Sequence, residues 1–343
     1  MNSNWKLIAL MGMLAACGGD SETESKGGFV ERDSGESSDE GGGGSTTDDC
    51  TVQATALDPE DGLADVYYRD SMGITFDDNA SALGPVVSLT DADGGEVATT
   101  VTFDDTGFKA VVTPDAPLMA NTAYTLAVEV CGNGNSTSFT TSQYGSPLTV
   151  GVDELSGNTY NFNLGGAEYT RPEGLGEVLA SFLDAPLLIG VGVTDGDNIQ
   201  ILGTQGRETN GGDIIADTNF EVWDFGTATL DGAYFESATT DIELGYGCAN
   251  IPIYDFQLKG TFAADGSLIG GGSATGLGDS REMGCLASLG SDPDAICGLA
   301  ATFGLACETC PDGNPWCLTI EGWFDPAAVL PDVQLSLPPE DGG

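Results

Sequence analysis

Between residues 50 and 145, apolar side chains come only in short runs, each stopped by Gly, Pro, Asn or Asp before it reaches helix length. The runs at 52–56, 73–76, 86–89, 97–103, 108–112, 122–130 and 137–141 make seven strand-length segments. An amphipathic helix needs apolar positions spaced by three and four over several turns, whereas a half-buried strand needs only alternation. No helical stretch separates the runs, so parallel βαβ units are excluded and an all-β sandwich is the simplest packing.

Within this segment stand Asp58-Pro59-Glu60-Asp61-Gly62-Leu63-Ala64-Asp65-Val66, then Gly73-Ile74-Thr75-Phe76-Asp77. Pro117-Leu118-Met119-Ala120-Asn121-Thr122-Ala123-Tyr124-Thr125-Leu126 and Phe139-Thr140-Thr141 follow in order. Together they resemble a bacterial Ig-like domain of the type found in surface-layer proteins and many exported bacterial proteins. The resemblance covers residues 50–141 and implies an architecture rather than an activity, since such domains serve as spacers and adhesive or carbohydrate-adjacent modules. Cys50 and Cys131 bracket the segment, and a bond between them would tie the chain entry to the end of a late strand. Closing so long a loop restrains the unfolded chain by about 3–5 kcal/mol.

Residues 146–328 read as a second β-rich unit, to which the bacterial Ig-like resemblance does not extend. Pro172-Glu173-Gly174-Leu175-Gly176-Glu177-Val178-Leu179 predicts a short helix with Pro172 near its start. Asp195-Gly196-Asp197-Asn198 joins two apolar runs as a hairpin turn. In the hairpin around Ala264-Asp265-Gly266, Phe256, Leu258 and Phe262 share one face while Gln257, Lys259 and Thr261 share the other, which predicts a sheet with one buried side. Met283, Leu286, Leu289, Ile296, Leu299 and Phe303 recur at helical spacing among six cysteines. The expected fold class is therefore mainly β: an Ig-like sandwich, then an antiparallel sheet or open barrel with a disulfide-rich helical cap. Residues 329–343 read as a loosely packed, Pro-rich acidic tail.

The chain begins with Lys6, an apolar run and then Leu14-Ala15-Ala16-Cys17. The run is too short to span a bilayer and suits a secretory signal. Its ending resembles a bacterial lipoprotein box, which implies cleavage after residue 16 and palmitate-type acylation of Cys17. Two or more acyl chains anchor a protein stably where one does so marginally. The expected location is the bacterial cell envelope, outer membrane or cell surface. Residues 17–49 are acidic and Gly/Ser-rich, with Gly41-Gly42-Gly43-Gly44, and bury too little to offset their ordering entropy; they read as a flexible tether.

Charge and cysteine count support export. The formal charge of -45 becomes -46 once Lys6 is removed, because no acid precedes Asp20. Such a chain repels phosphate backbones, so nucleic acid is excluded as a partner. Histidine is absent, which removes the usual Ser-His-Asp and Cys-His arrangements. Of nine cysteines, Cys17 is the lipid candidate. Cys50, Cys131, Cys248, Cys285, Cys297, Cys307, Cys310 and Cys317 remain as an even set of disulfide candidates, the pairing of the last six left open.

Several clusters are candidate sites. Cys307-Glu308-Thr309-Cys310 has the spacing of a redox motif, but lacks a βαβ context and reads as structural. Asp91, Asp93 and Glu96, and separately Asp195 and Asp197, offer calcium-type oxygens around turns, although Asp and Gly are also what plain turns require. Calcium is the cofactor these oxygens would suit. Glu173, Glu177, Glu221, Asp224 and Glu243 supply the carboxylates a glycan hydrolase would need. Gly270-Gly271-Gly272 lacks the Lys-Ser/Thr of a phosphate loop and reads as a turn or bulge. Arg171 and Arg281 stand out where bases are scarce, and each either pairs internally or grips an anion. The aromatics concentrate in the second unit, with Trp223 and Trp316 as binding candidates and Trp323, Tyr234 and Tyr254 beside them as core or platform.

The leading function is noncatalytic: a lipid-anchored envelope or surface protein with a structural, adhesive or binding role, its partners the membrane through Cys17 and an envelope protein or glycan. The alternatives are a β-barrel carrier of an apolar ligand and a carboxylate-based glycan hydrolase or lyase.

Overall fold

The computed structural model describes residues 50–183 and 185–338; the expected signal, Cys17 and the tether lie outside the described residues. In the first sandwich the strands are β1 Ala54–Asp58, β2 Leu63–Val66, β3 Met72–Phe76, β4 Val86–Asp91, β5 Glu96–Val97, β6 Thr99–Phe103, β7 Lys109–Pro114, β8 Ala123–Val130 and β9 Asn133–Thr141. They form two sheets, β1-β3-β7-β6 and β2-β9-β8-β4-β5. Alternation makes the core: Tyr124, Leu126, Val128 and Val130 of β8 point inward, against Ile74, Phe76, Leu89 and Phe139. Each such side chain contributes about 1.5–3 kcal/mol on burial. Cys50 bonds to Cys131 as expected.

Two details depart from the sequence reading. Leu63–Val66, part of a turn motif in sequence, is a strand that pairs parallel with β9. The run at 97–103 splits at Ala98, because Val97 pairs with Leu89 in one sheet and Thr99 with Pro114 in the other.

The second unit contains β10 Thr159–Asn163, β11 Glu168–Arg171, α1 Gly176–Phe182, β12 Pro186–Asp195, β13 Asn198–Glu208, β14 Ile214–Ala216 and β15 Trp223–Thr229. After these come β16 Tyr234–Glu236, β17 Thr240–Tyr246, β18 Ala249–Phe262, β19 Leu268–Asp279, α2 Ala295–Thr302, β20 Cys317–Phe324 and β21 Ala327–Ala328. One sheet runs β10-β12-β13, with β14 and β15 both on β13. The other runs β11-β20-β19-β18, with β16 and β17 on β18 and β21 on β19. Aromatic contacts bridge the two: Phe225–Phe256 at 5.8 Å, Tyr160–Phe262 at 5.6 Å and Phe162–Phe324 at 5.4 Å between centroids.

The expected antiparallel, mainly β architecture takes the form of two facing sheets and no closed barrel, because β12 and β13 are long enough to hold a sheet of their own. The apolar cavity lined by Leu183, Leu187, Ile242, Ile253 and Ile320 measures only about 20 Å³, room for about one water. Helix α1 starts at Gly176 rather than near Pro172. Ahead of α2 the helical spacing yields only a 3-10 turn at Met283–Cys285, and Asp292-Pro293 interrupts before α2 begins. The tail is also corrected: Leu330 N–H donates to the Thr159 carbonyl at 2.7 Å, and buried Leu335 packs with Leu188 and Leu202.

The hairpin β18–β19 has the expected buried side, with Phe256, Leu258 and Phe262 in the core, but near its turn the other side is covered as well. Thr261, on the face expected to meet solvent, is fully buried. Tyr67 of the first sandwich lies 2.6 Å from its hydroxyl, and Tyr68 lies 3.4 Å away. Lys259 opposes Ser273 and Thr261 opposes Gly270, so Gly271 and Gly272 together face Gly260 as a β-bulge. The bulge clears space for rings. A Cβ on Gly270 would lie 2.0 Å from the Tyr144 ring, and one on Gly271 would lie 2.1 Å from the Tyr67 ring. Arg69 completes the seat, bonding Asp231 at 2.5 Å and stacking 3.9 Å from the centre of the Tyr234 ring. Ala263 and Leu268 of the second unit accordingly belong to the apolar cluster of the first.

Beside Arg69, Asp70 is half-buried, and burial first, then the charge of Asp58, pushes its carboxyl up to about 6. A carboxyl raised above its unfolded value of 3.8 stabilises the fold below that value, and the contribution is lost as pH rises through 6. Asp70→Asn is therefore expected to stabilise the chain at pH 7.5 by about 1–2 kcal/mol, a figure discounted for partial solvation, and to change little at pH 4. Urea unfolding across pH 4–8 checks this, and an advantage that shrinks with rising pH contradicts it.

A candidate binding face on the seven-stranded sheet

Residues directly opposed in antiparallel strands point to the same face. Glu168 of β11 opposes Trp323 of β20, which opposes Ser273 of β19, then Lys259 of β18, then Glu236 of β16. A second row holds Arg171, Glu321, Thr275 and Gln257, and a third Thr319, Leu277 and Tyr254. The alternate residues Leu318, Ile320, Phe324, Leu258 and Phe256 are buried against the other sheet. The outward face is thus polar, with an indole 38% exposed among the rows.

Both ends of this face are walled. At Thr261 the Ig-like sandwich covers it. At Asp279, opposite Cys317, the disulfide-rich cap does so. There Arg281 Nε donates to both oxygens of buried Asp279 at 2.9 Å, Nη2 bonds Asp279 as well, and Nη1 lies 2.7 Å from Asp312. The bonds to Asp279 above all hold the guanidinium above its ordinary value. Asp312 is held below the usual carboxylate range, first by the N–H groups of Asn314 and then by Arg281. Trp316 lies 5.3 Å from the guanidinium and donates its Nε1–H to Asp294 at 2.6 Å, while Tyr254 O–H reaches Asp279 at 3.4 Å.

The chain has nine bases; without Lys6, Lys26 and Arg32, six fall among the described residues. Four of those six, Arg69, Arg171, Lys259 and Arg281, lie on this face or at its ends. Each stands beside an acid: Arg171 lies 3.4 Å from Glu321 and Lys259 3.3 Å from Glu236. In a strongly acidic chain, the face carries an unusually balanced set of charges.

The sequence candidates divide accordingly. Arg281 and Trp316 come together at one end, and Arg171 lies in the second row. Trp223 sits half-buried on β15 of the opposite sheet. The eight cysteines pair as Cys50–Cys131, Cys248–Cys285, Cys297–Cys307 and Cys310–Cys317. The two cysteines of the C-x-x-C spacing therefore belong to different bonds, which leaves no thiol pair there for exchange. Asp279, Cys310 and Cys317 offer atoms within 4.8 Å of one another, but the disulfide supplies no thiolate and Arg281 holds the carboxylate.

Asp91 accepts the N–H groups of Asp93 and Gly95 at 3.0 and 2.7 Å, as a turn residue does. Glu96 and Asp93 are exposed, as are Asp195 and Asp197 at their hairpin turn. Glu173 and Glu177 flank and begin α1, Glu221 and Asp224 lie at β15, and Glu243 lies on β17; all are exposed. They thus fall at three elements, as two pairs and Glu243. Of the aromatics, Phe225, Phe235 and Tyr246 are core. Trp323 was legible only as one of that pool, although the alternation of 317–324, with Thr319, Glu321 and Trp323 on one side, marks it as outward.

Residues 48–162 match the family model of the bacterial Ig-like domain. The first sandwich is such a domain, in a mainly β, disulfide-bonded chain. No curated protein matches the chain by sequence. Among solved structures, the N-terminal part of the bacterial S-layer protein SbsC is similar at 14% identity and a TM-score of 0.24, over 49% of this chain and 44% of that one. This chain thus spans less than half of that fragment. An L,D-transpeptidase from Mycobacterium smegmatis is similar at 17% identity and a TM-score of 0.21, over 49% of this chain and 80% of that one. SbsC domains 1–6 give 10% identity and a TM-score of 0.21 over 84% and 55%. At these scores neither a fold nor an activity carries over.

Proposed function

We propose that this chain is a noncatalytic protein of the bacterial envelope or cell surface, anchored by acyl chains on Cys17. The acidic tether sets it off from the membrane, and the Ig-like domain and the second unit act as one body that displays the outer face of the seven-stranded sheet to an envelope protein or glycan. The observation that carries this reading is the face itself: polar, charge-balanced, with one exposed indole, and walled by the Ig-like domain and the cap. The small cavity supports binding at this face over carriage of an apolar ligand.

Fractionation of bacterial cells tests the anchor. Wild-type chain is expected in the detergent-soluble membrane fraction and Cys17→Ser in the soluble fraction, with the mature wild-type mass raised by its acyl chains. Equal partitioning of the two forms would sink the anchoring claim.

A further inference from the structure

We infer that the walled face binds a neutral polysaccharide strand, which lies across β11, β20, β19, β18 and β16 between the Ig-like domain and the cap. The inference rests on the reading of the chain as a surface binding protein and adds the class of partner. Five strands at their usual spacing make a platform about 19 Å wide, and the seven residue steps from Tyr254 to Thr261 separate the walls by about 23 Å. That is the footprint of an extended chain rather than of a small molecule, which a protein takes into an enclosed pocket.

The chemistry of the rows selects the ligand. A sugar ring presents an apolar C–H face with a rim of hydroxyls that both donate and accept. The exposed indole of Trp323 offers a flat apolar surface to the first. On the rows beside it the half-buried Thr275 and Thr319 carry hydroxyls that donate and accept, Gln257 carries an amide, and Glu321 accepts, while Ser273 next to the indole is buried. These groups are held in place before any ligand arrives: Gln257 Nε2 donates to the Ser237 carbonyl at 3.0 Å, Thr319 donates to Glu308 at 2.6 Å, and Glu321 pairs with Arg171. Preorganisation of this kind lowers the entropy cost of binding.

Charge narrows the class further. On the rows, Glu168, Glu236 and Glu321 outnumber Arg171 and Lys259, and both bases are already paired. An anionic polymer meets no unpaired cation there and a net charge of -45 behind it. A protein interface would call for a more apolar centre than Trp323 and half-buried Leu277 provide.

Affinity electrophoresis of the full chain tests this, in gels containing dextran, galactomannan or a β-1,3-glucan, with alginate as the anionic comparison. At least one neutral polymer is expected to retard the chain. Trp323→Ala should weaken that retardation about tenfold or more, and Gln257→Ala with Thr275→Val several-fold, while Trp223→Ala on the opposite sheet leaves it unchanged. Circular dichroism and an unchanged melting temperature establish that Trp323→Ala is folded. No retardation by any neutral polymer, retardation by alginate alone, or full binding by Trp323→Ala would each overturn the inference. Membrane fractionation of the Cys17→Ser variant reads the anchoring separately, so an anchored chain that ignores every neutral polymer loses only this proposal.

Discussion

Gly271→Val is expected to split the unfolding of the chain into two transitions, the Ig-like domain melting apart from the second unit. The position has a φ of +56°, which a β-branched residue tolerates poorly, and its Cβ would lie 2.1 Å from the Tyr67 ring. Strain and overpacking together cost about 3 kcal/mol or more. Moving Tyr67 aside also breaks its hydrogen bond to buried Thr261 and lifts the contact that brings Arg69 to Asp231 and Tyr234. Scanning calorimetry reads the result directly. Tyr67→Ala in the same background should recover part of the local strain without restoring docking, a coupling of about 0.5–3 kcal/mol. A single transition in Gly271→Val would mean that the rings do not hold the domains together.

Arg281→Met is expected to destabilise the second unit by about 3 kcal/mol in urea unfolding, among the largest effects of any side chain near the surface. The reason lies in what remains. Asp279 is 3% exposed and draws most of its hydrogen bonding from this one guanidinium, so removal leaves a buried carboxylate with the Tyr254 hydroxyl and the main-chain N–H of residue 281 as its remaining donors. Because Arg281 is itself 31% exposed, the lower end of the range for buried pairs applies. Arg281→Lys should lose about half as much, since an ammonium cannot reach both oxygens of Asp279 and Asp312 in one plane. Asp279→Leu combined with Arg281→Met should approach wild type, because an apolar pair leaves nothing unpaired. A double variant as weak as Arg281→Met would contradict this account of the pair.

Much of this was legible from local pattern. Strand alternation and Asp-Gly turns located the Ig-like sandwich and the hairpins at 195–198 and 264–266, because a strand's inward and outward positions are set by its own residues. The two-sheet form of the second unit was not, since which strands share a sheet depends on partners distant in sequence, as when β13 takes β12, β14 and β15 together. The three glycines at 270–272 announced a bulge, but their purpose lies in Tyr67 and Tyr144, which are more than a hundred residues away. Arg281 and Trp316 were singled out by rarity, and their partners Asp279, Asp312 and Asp294 could not be chosen from 54 acids. Trp323 needed only the alternation of its own strand to be read as outward, yet its row with Ser273 and Lys259 exists only once three strands are in register.

The most direct measurement is amide hydrogen exchange on the full chain at residues 66–69 and 258–274, which meet across the glycine seat. If the Ig-like domain and the second unit are one body, the two segments are protected to the same opening free energy, and Gly271→Val lowers both together. Independent protection of the two segments in the wild-type chain, with one exchanging freely while the other stays closed, would contradict the single body and with it the walled face.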